Sequence, residues 1–381
     1  MTAALDVPST HGHVLIVSNI PAPYRIPVYA ALRSEGVDLE VRHLADSEPA
    51  RGWSNATDPT LRRLKTWGVP YGEGRLYLLR PQRRCSTTWK RTTLVISGWE
   101  SPAAWQLLAL ARLHRTAVVG FYESTGATHR FSSGPVAALR SGFFRRVDAV
   151  LTAGPASTAA VLAMGVSADR IVTGFNSVDV QAFADGAALA RDSAPASSGH
   201  RFLYVGQLIE RKNVSAAMQA FAQIATAEDT FTIVGTGPLR LDLQKHAVQL
   251  GISDRLHFLG HREDNGLHEA YGHADTLVLP SNQEVWGLVV NEALAAGLHT
   301  VVSSEAGVVP SIRHMTGVHT ALPTADGLAH AMSTSRSTWT GPVPQPEMLQ
   351  HTPDKAAEHI LDAVALARRR RDASTAWPPT Q

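Results

Sequence analysis

Apolar runs of three to five residues alternate along this chain with segments whose apolar residues recur every three or four positions. Short continuous runs suit strands buried on both faces, and the longer period suits helices laid over them. The pattern therefore predicts α/β architecture with parallel sheets. In the first half it predicts strands at Val14–Val17, Leu39–Val41, Leu76–Leu79, Leu94–Ile96, Ala117–Val119, Ala149–Leu151 and Ile171–Thr173. Helices fit at 27–33, 103–113, 136–144 and 156–164. The alternation resumes with strands at Phe202–Val205, Phe231–Val234, Leu256–Leu259 and Thr276–Leu279, and helices at 214–224 and 239–250. Between the halves, 191–200 is rich in Ala, Ser, Pro and Gly and reads as a linker. Pro-rich 338–353 reads as irregular chain, and 354–370 as an amphipathic helix with Ala357, Ile360, Leu361, Val364 and Ala367 on one face. The Arg368–Arg371 run is read as favouring that helix's C-terminus and then fraying.

At 381 residues the chain has room for two cores. There is no run of about 18 apolar residues, and the N-terminus lacks the basic-then-apolar order of a signal peptide. One cysteine, Cys85, excludes an internal disulfide framework and suits a reducing cytoplasm, which makes the sequons at Asn55 and Asn213 accidental. The net charge of +2 hides an asymmetry: residues 1–178 hold 20 Lys+Arg against 12 Asp+Glu, leaving 15 against 21 for residues 179–381. A basic half beside an acidic half is compatible with phosphate-bearing ligands, with anionic lipid, or with neither. Arg80, Arg83, Arg84, Lys90 and Arg91 cluster in a stretch without helical or strand pattern.

The richest stretch chemically is 281–297, S-N-Q-E-V-W-G-L-V-V-N-E-A-L-A-A-G. It follows an apolar strand ending at Pro280, and helical spacing resumes near Gly287. Free N–H groups and the positive end of a helix dipole would then lie beside Glu284 and Glu292, eight positions apart. A diphosphate can rest on the N–H groups while the acids accept hydrogen bonds from hydroxyls on either side of it. The plain alternative is a surface helix with two solvated acids. Trp286 and Gly287 between the acids favour a site, since Gly admits close approach of a ligand and Trp offers a rigid wall. The segment resembles the E-x7-E signature of the retaining glycosyltransferases of family 4, a resemblance that spans 202–323 and covers the first half only in outline.

That resemblance implies a GT-B fold, two doubly wound Rossmann-like domains facing a central cleft. The segments would be an acceptor-binding domain at 1–178, a linker at 179–200, a donor-binding domain at 201–350, and a helix and tail at 351–381. It also implies a site. Gly206-Gln207-Leu208-Ile209-Glu210-Arg211-Lys212 is similar to the family's G-R-L-x-x-x-K, so Lys212 takes the place of the diphosphate lysine. Gln207 stands where the family has arginine, and Arg211 is the nearby cation able to compensate. His261 and Arg262 fall beside the nucleobase, Glu284 at the donor sugar, Glu292 at the ribose, and Trp286, Gly287, Leu288 and Val289 around the diphosphate. Gly235-Thr236-Gly237-Pro238 lacks the third glycine of a dinucleotide fingerprint and reads as a turn and cap. Asn176-Ser177-Val178-Asp179, with Phe183 after it, resembles the loop that ends the family's first domain.

In the first half, Tyr24, Arg25, Glu123 and His129 are the acceptor-side candidates, at loops following strands. The implied reaction is transfer from a UDP- or GDP-linked sugar to an acceptor hydroxyl with retention, by front-face attack; Glu123 is the one obvious nucleophile for a covalent route. Glu284, Lys212 and Glu123 are the expected catalytic groups. No cofactor is implied, and no metal, since no cluster has metal-ligand spacing. A small soluble acceptor and a lipid-linked one at the inner membrane face are both open, with peripheral membrane contact in the second case; nucleic acid is not expected. Two other readings keep the architecture: a nucleotide-sugar-binding regulatory protein without catalysis, and a sugar-nucleotide epimerase.

Overall fold

The computed structural model describes residues 12–47, 60–71, 74–81, 89–193 and 198–375. Cys85, Arg83, Arg84 and the Asn55 sequon lie outside the described residues. The chain forms two compact units, Met1–Phe175 with Pro353–Gln381, and Asn176–Thr352.

The first unit carries β1 (His13–Ser18), α1 (Ile26–Ser34), β2 (Asp38–His43), β3 (Leu61–Arg63), β4 (Thr66–Tyr71), β5 (Gly74–Leu79), β6 (Thr92–Ser97), α2 (Pro102–Leu113), β7 (Ala117–Tyr122), α3 (Gly134–Arg146), β8 (Ala149–Thr152), α4 (Pro155–Ala163) and β9 (Ile171–Thr173). Seven strands form a parallel sheet in the order β3-β2-β1-β6-β7-β8-β9. Alternation along the strands feeds two cores. Leu15, Val17, Leu94, Ile96, Val118 and Val150 face α2, α3 and α4, while Val14, Ile16, Val95, Val119 and Leu151 face the other way.

The Leu76–Leu79 run is a strand, as the pattern predicts, but it lies outside the parallel sheet. It pairs antiparallel with β4, from Thr66↔Leu79 to Tyr71↔Gly74. An apolar run alone does not distinguish a central parallel strand from one arm of a hairpin. Pro70 in β4 is tolerable because the two-stranded ribbon leaves one edge of that strand unpaired.

The second unit carries α5 (Val180–Asp192), β10 (Arg201–Val205), α6 (Val214–Ile224), β11 (Thr230–Val234), α7 (Arg240–Gln249), β12 (Leu256–Gly260), α8 (Asp264–Gly272), β13 (Thr276–Leu279), α9 (Leu288–Ala295), β14 (His299–Ser303), α10 (Val309–Ile312), β15 (Val318–Ala321) and α11 (Ala325–Thr338). Its six parallel strands run β12-β11-β10-β13-β14-β15. The expected linker at 179–200 is largely α5, a helix of this unit. Asp179 caps it by accepting from the Ala182 N–H at 3.1 Å. Arg191 donates to the Ala296 carbonyl at the end of α9 (2.8 Å), and Phe183 meets the Tyr271 ring edge-on at 5.7 Å.

The chain then returns to the first unit as α12 (Pro353–Thr375). Ala357, Ile360, Ala363, Val364 and Ala367 join α1 in covering the second face of the first sheet. The expected fraying at Arg368–Arg371 does not occur, because the helix continues to Thr375 and three of the four arginines are tied down. Arg371 pairs with Asp148 at 2.8 Å in a nearly buried contact, Arg370 pairs with Asp169, and Arg368 donates to Thr93.

Candidate functional site

In the second sheet, strand order reverses between β10 and β13, and in open α/β sheets ligands bind beyond the carboxyl ends of strands at such a point. Two loops meet there, 206–212 after β10 and 280–287 after β13. Gly235, at φ +137°, lies so close to the first loop that an added Cβ would stand 1.8 Å from the Gly206 carbonyl oxygen. The Gly235-Thr236-Gly237-Pro238 turn is thus a support for the 206–212 loop. Asn213, in the left-handed region at φ 54°, donates to the carbonyls of Pro280 (3.1 Å) and Pro323 (2.8 Å) and locks the two loops together.

The lock brings Lys212 against Glu284. The ammonium and the carboxylate form an ion pair with both side chains nearly buried, 13% and 11% exposed. The Ser281 hydroxyl also donates to Glu284, at 3.2 Å. The Glu284 carbonyl accepts from the Gly307 N–H at 3.0 Å, so the acid is fixed at both ends. Arg211, one position earlier, is exposed, and its carbonyl accepts from the Asn282 N–H at 2.9 Å. Gln207 is half-buried, with the Tyr204 hydroxyl donating to its carbonyl at 2.8 Å.

Helix α9 begins where the sequence predicts. Gly287 precedes it at φ +100°, where an added Cβ would come within 2.8 Å of Leu279, so the entry turn requires glycine. The first N–H groups of α9, at Leu288 and Val289, have no partner available within the helix. Trp286 corrects one expectation. Its indole is 3% exposed and donates to Asn291 at 3.3 Å, and Asn291 donates on to the Asn176 carbonyl at 2.7 Å. The ring is a wedge inside the fold rather than a wall for a ligand, and the Trp286 carbonyl accepts from the Val308 N–H at 3.3 Å.

Glu292 sits in the second turn of α9 and accepts from the Tyr271 hydroxyl at 2.6 Å. Burial pushes its carboxyl up to about 7, against the lowering effect of the Tyr271 hydrogen bond. His261 and Arg262 follow β12, two strands away from β10 in sheet order. His261 pairs with Glu263 at 3.1 Å, both about half exposed.

The first unit gathers its candidates at the carboxyl ends of β1 and β7. Arg25, in the single-turn helix Pro23–Arg25, donates to the Glu123 carboxylate at 2.9 Å. Its guanidinium lies 4.5 Å from the centre of the Phe121 ring and 5.4 Å from that of Tyr24. Ser157 donates to the Glu123 carbonyl at 3.0 Å. His129 shares a hydrogen bond with the Tyr122 hydroxyl. Burial, then the neighbouring Arg140, holds the His129 imidazole below its ordinary range, and burial pushes the Tyr122 phenol up to about 12. Among the described residues, no three His, Cys, Asp or Glu side chains are grouped as metal ligands.

Sequence reasoning missed Tyr271, Ser281, Asn213 and Tyr122. Tyr271 was legible in part, as a large polar-tipped residue shortly before a buried strand, but the helix bearing it was not predicted. The others act through contacts that only folding creates.

The fold is that of the GT-B glycosyltransferases. The structure superposes on HepE of Anabaena, solved in complex with UDP, with a TM-score of 0.67 at 15% identity, covering 95% of this chain and 99% of that one. It superposes on the sucrose-phosphate synthase of Thermosynechococcus elongatus with a TM-score of 0.62 at 18% identity, covering 95% and 98%. Residues 188–335 match the sequence profile of the family "Glycosyl transferases group 1". An uncharacterized glycosyltransferase of Methanocaldococcus jannaschii is 32% identical over 139 residues, 36% of each chain. The N-acetyl-alpha-D-glucosaminyl L-malate synthase of Bacillus anthracis is 30% identical over 147 residues, 38% of each. These alignments span little more than a third of either protein. The profile match and the names of the relatives support a glycosyltransferase enzyme.

Proposed function

We propose that this protein transfers a sugar from a nucleoside-diphosphate donor to an acceptor hydroxyl, with retention and without a metal ion, the second unit holding the donor and the first the acceptor. The observation that carries the reading is the nearly buried Lys212–Glu284 pair at the strand-order reversal, beside the N-terminus of α9. Lys212, with Arg211 and the α9 N–H groups, would take the negative charge that develops on the diphosphate as the C1–O bond breaks. Glu284 would hold sugar hydroxyls, and Glu292, oriented by Tyr271, the ribose. In front-face transfer the departing phosphate oxygen takes the acceptor proton while the acceptor oxygen bonds to C1 on the same face. Glu123 is already held by a guanidinium, which suits positioning of an acceptor better than nucleophilic attack. UDP-sugars are the donors to try first, because the HepE structures were obtained with UDP and with UDP-glucose.

The test is a panel of UDP- and GDP-sugars incubated with metal-free enzyme, with release of each diphosphate followed by mass spectrometry, with and without EDTA. Release from one donor, kept in EDTA with at most a modest loss, is the expected result. Donor binding without release would favour the regulatory reading. Activity restored only by Mg²⁺ or Mn²⁺ would remove the assignment of the leaving-group charge to Lys212 and the helix end.

A further inference from the structure

The β4–β5 hairpin, which the donor and acceptor reading does not use, has two unlike faces. In an antiparallel ribbon, residues paired across the strands share a face, and faces alternate along each strand. The pairs Thr66↔Leu79 and Gly68↔Tyr77 lie on the inner side, where Tyr77 is buried in the first core. The N–H groups of Tyr77 and Leu79 reach Ser101 and Gln106 at the start of α2. The other face carries Trp67↔Leu78 and Val69↔Leu76, then Tyr71 opposite Gly74. Trp67, Val69 and Tyr71 are 49%, 50% and 57% exposed. Three large apolar residues exposed on one side of one ribbon make a continuous strip rather than scattered surface apolars.

The end of the strip is cationic. Arg80 N–H pairs with the Lys65 carbonyl at 2.9 Å, which extends the ribbon by one rung and puts Lys65 and Arg80 on the outer face. The Arg80 guanidinium lies 5.7 Å from the centre of the Trp67 ring. Arg75 pairs with Pro70 and belongs to the inner face, so the cations of the strip are Lys65 and Arg80. Residues 60–71 and 74–81 contain no Asp or Glu, and the one acid between them, Glu73, lies outside the described residues.

We propose that this outer face is a docking surface for an anionic phospholipid bilayer. Trp and Tyr with flanking Lys and Arg are the side chains that settle at the boundary between headgroups and acyl chains. The rings enter the boundary while the long cationic stems keep their charges at the phosphates. A carbohydrate platform would need carboxylates or amides between the rings to take sugar hydroxyls, and this face offers Val69, Leu76 and Leu78 there instead. The inference stands on the hairpin alone and is independent of the transfer reaction.

Flotation of the full chain with vesicles tests it, using phosphatidylcholine alone and an equal mixture with phosphatidylglycerol, at low and high salt. The wild type is expected to float with the anionic vesicles, less so at high salt. Trp67→Ser with Tyr71→Ser should weaken partitioning about tenfold or more by removing buried apolar area. Lys65→Gln with Arg80→Gln should weaken it about fivefold per cation at low salt. Thermal melts and UDP titrations equal to wild type would show that each variant is folded, and Val69→Asn replaces the aromatic pair if that variant is not. Failure of the wild type to float, or unchanged flotation of folded aromatic variants, would overturn the proposal. So would an effect of these variants confined to self-association or to capture of another protein.

Discussion

The two units place a charged pair at the same kind of location, the carboxyl edge of a parallel sheet, but build it differently. In the second unit Lys212 and Glu284 are nearly buried and are positioned by loops pinned through Asn213 and Gly235. In the first unit Arg25 and Glu123 are more open, at 19% and 31% side-chain exposure, and the cation is braced by aromatic rings after a Pro-rich turn. A buried pair loses little to solvent screening and can act on charge that appears during a reaction, whereas an open pair is better suited to orienting a neutral, hydroxyl-bearing partner. The contrast coincides with sequence likeness, since the family profile matches 188–335 and leaves the first unit unmatched. The same donor machinery would recur among relatives, and the first unit would decide what accepts the sugar.

Lys212→Ala should break this contrast most severely. Turnover should fall about 100-fold or more, as when one preorganised charge-stabilising group is lost. Glu284 would also be left buried and unpaired, so the melting temperature should drop, with a cost of about 3 kcal/mol. Single-turnover rates at saturating donor, measured beside thermal unfolding, separate the two losses; an unchanged rate would exclude Lys212 from the reaction.

Glu292 gives an intermediate effect with a distinctive pH signature. Its carboxyl rises from 4.5 to about 7 on folding, so its contribution to stability is fully present below about 4.5 and is lost as pH rises through about 7. Donor binding should run the opposite way. If ribose hydroxyls donate to the ionised carboxylate, as proposed, UDP affinity should climb with pH up to about 7 and then level, with the protein releasing a proton to the buffer on binding. Glu292→Gln should flatten both trends and weaken UDP by about 1–3 kcal/mol, read by calorimetric titration in buffers of different ionisation enthalpy.

Arg25→Ala should have the smallest effect and the sharpest selectivity. UDP affinity should be unchanged while the acceptor KM rises several-fold, worth about 1 kcal/mol. An equal loss in UDP affinity would mean that the first unit's pair serves the donor.

Much of the second unit is legible in its sequence because runs such as Phe202–Val205 and Thr276–Leu279 are apolar and end at Gly206 and Pro280, whereas β14 and β15, broken by His299, Thr300, His319 and Thr320, go unread. The 214–224 helix and the 276–279 strand fall where periodicity puts them. Helix α5 is not legible, because its Ala- and Gly-containing pattern runs into a Pro- and Ser-rich stretch and the whole segment then resembles a linker. The hairpin is half legible, as β5 has the apolar run but β4 mixes Trp, Val and Tyr with Gly and Pro. At the site, the motif supplies Lys212, Glu284 and Glu292, while the partner of Glu292 is missed because Tyr271 lies 21 positions upstream on an unread helix. Trp286 shows the opposite error, since an aromatic beside a motif is as useful for packing as for contact.

The crossing of α12 back to the first sheet has a consequence for the birth of the molecule. Ribosomes release the β1–β9 segment long before the helix that covers one face of its sheet, and the entire second unit is translated in between. Val14, Ile16, Val95 and Val119 must therefore wait, half covered, while the later unit has everything it needs to fold as it emerges. The N-terminal half of the chain would be the last part to finish, and a transcript cut short before Pro353 would yield a product with one sound half and one sticky one.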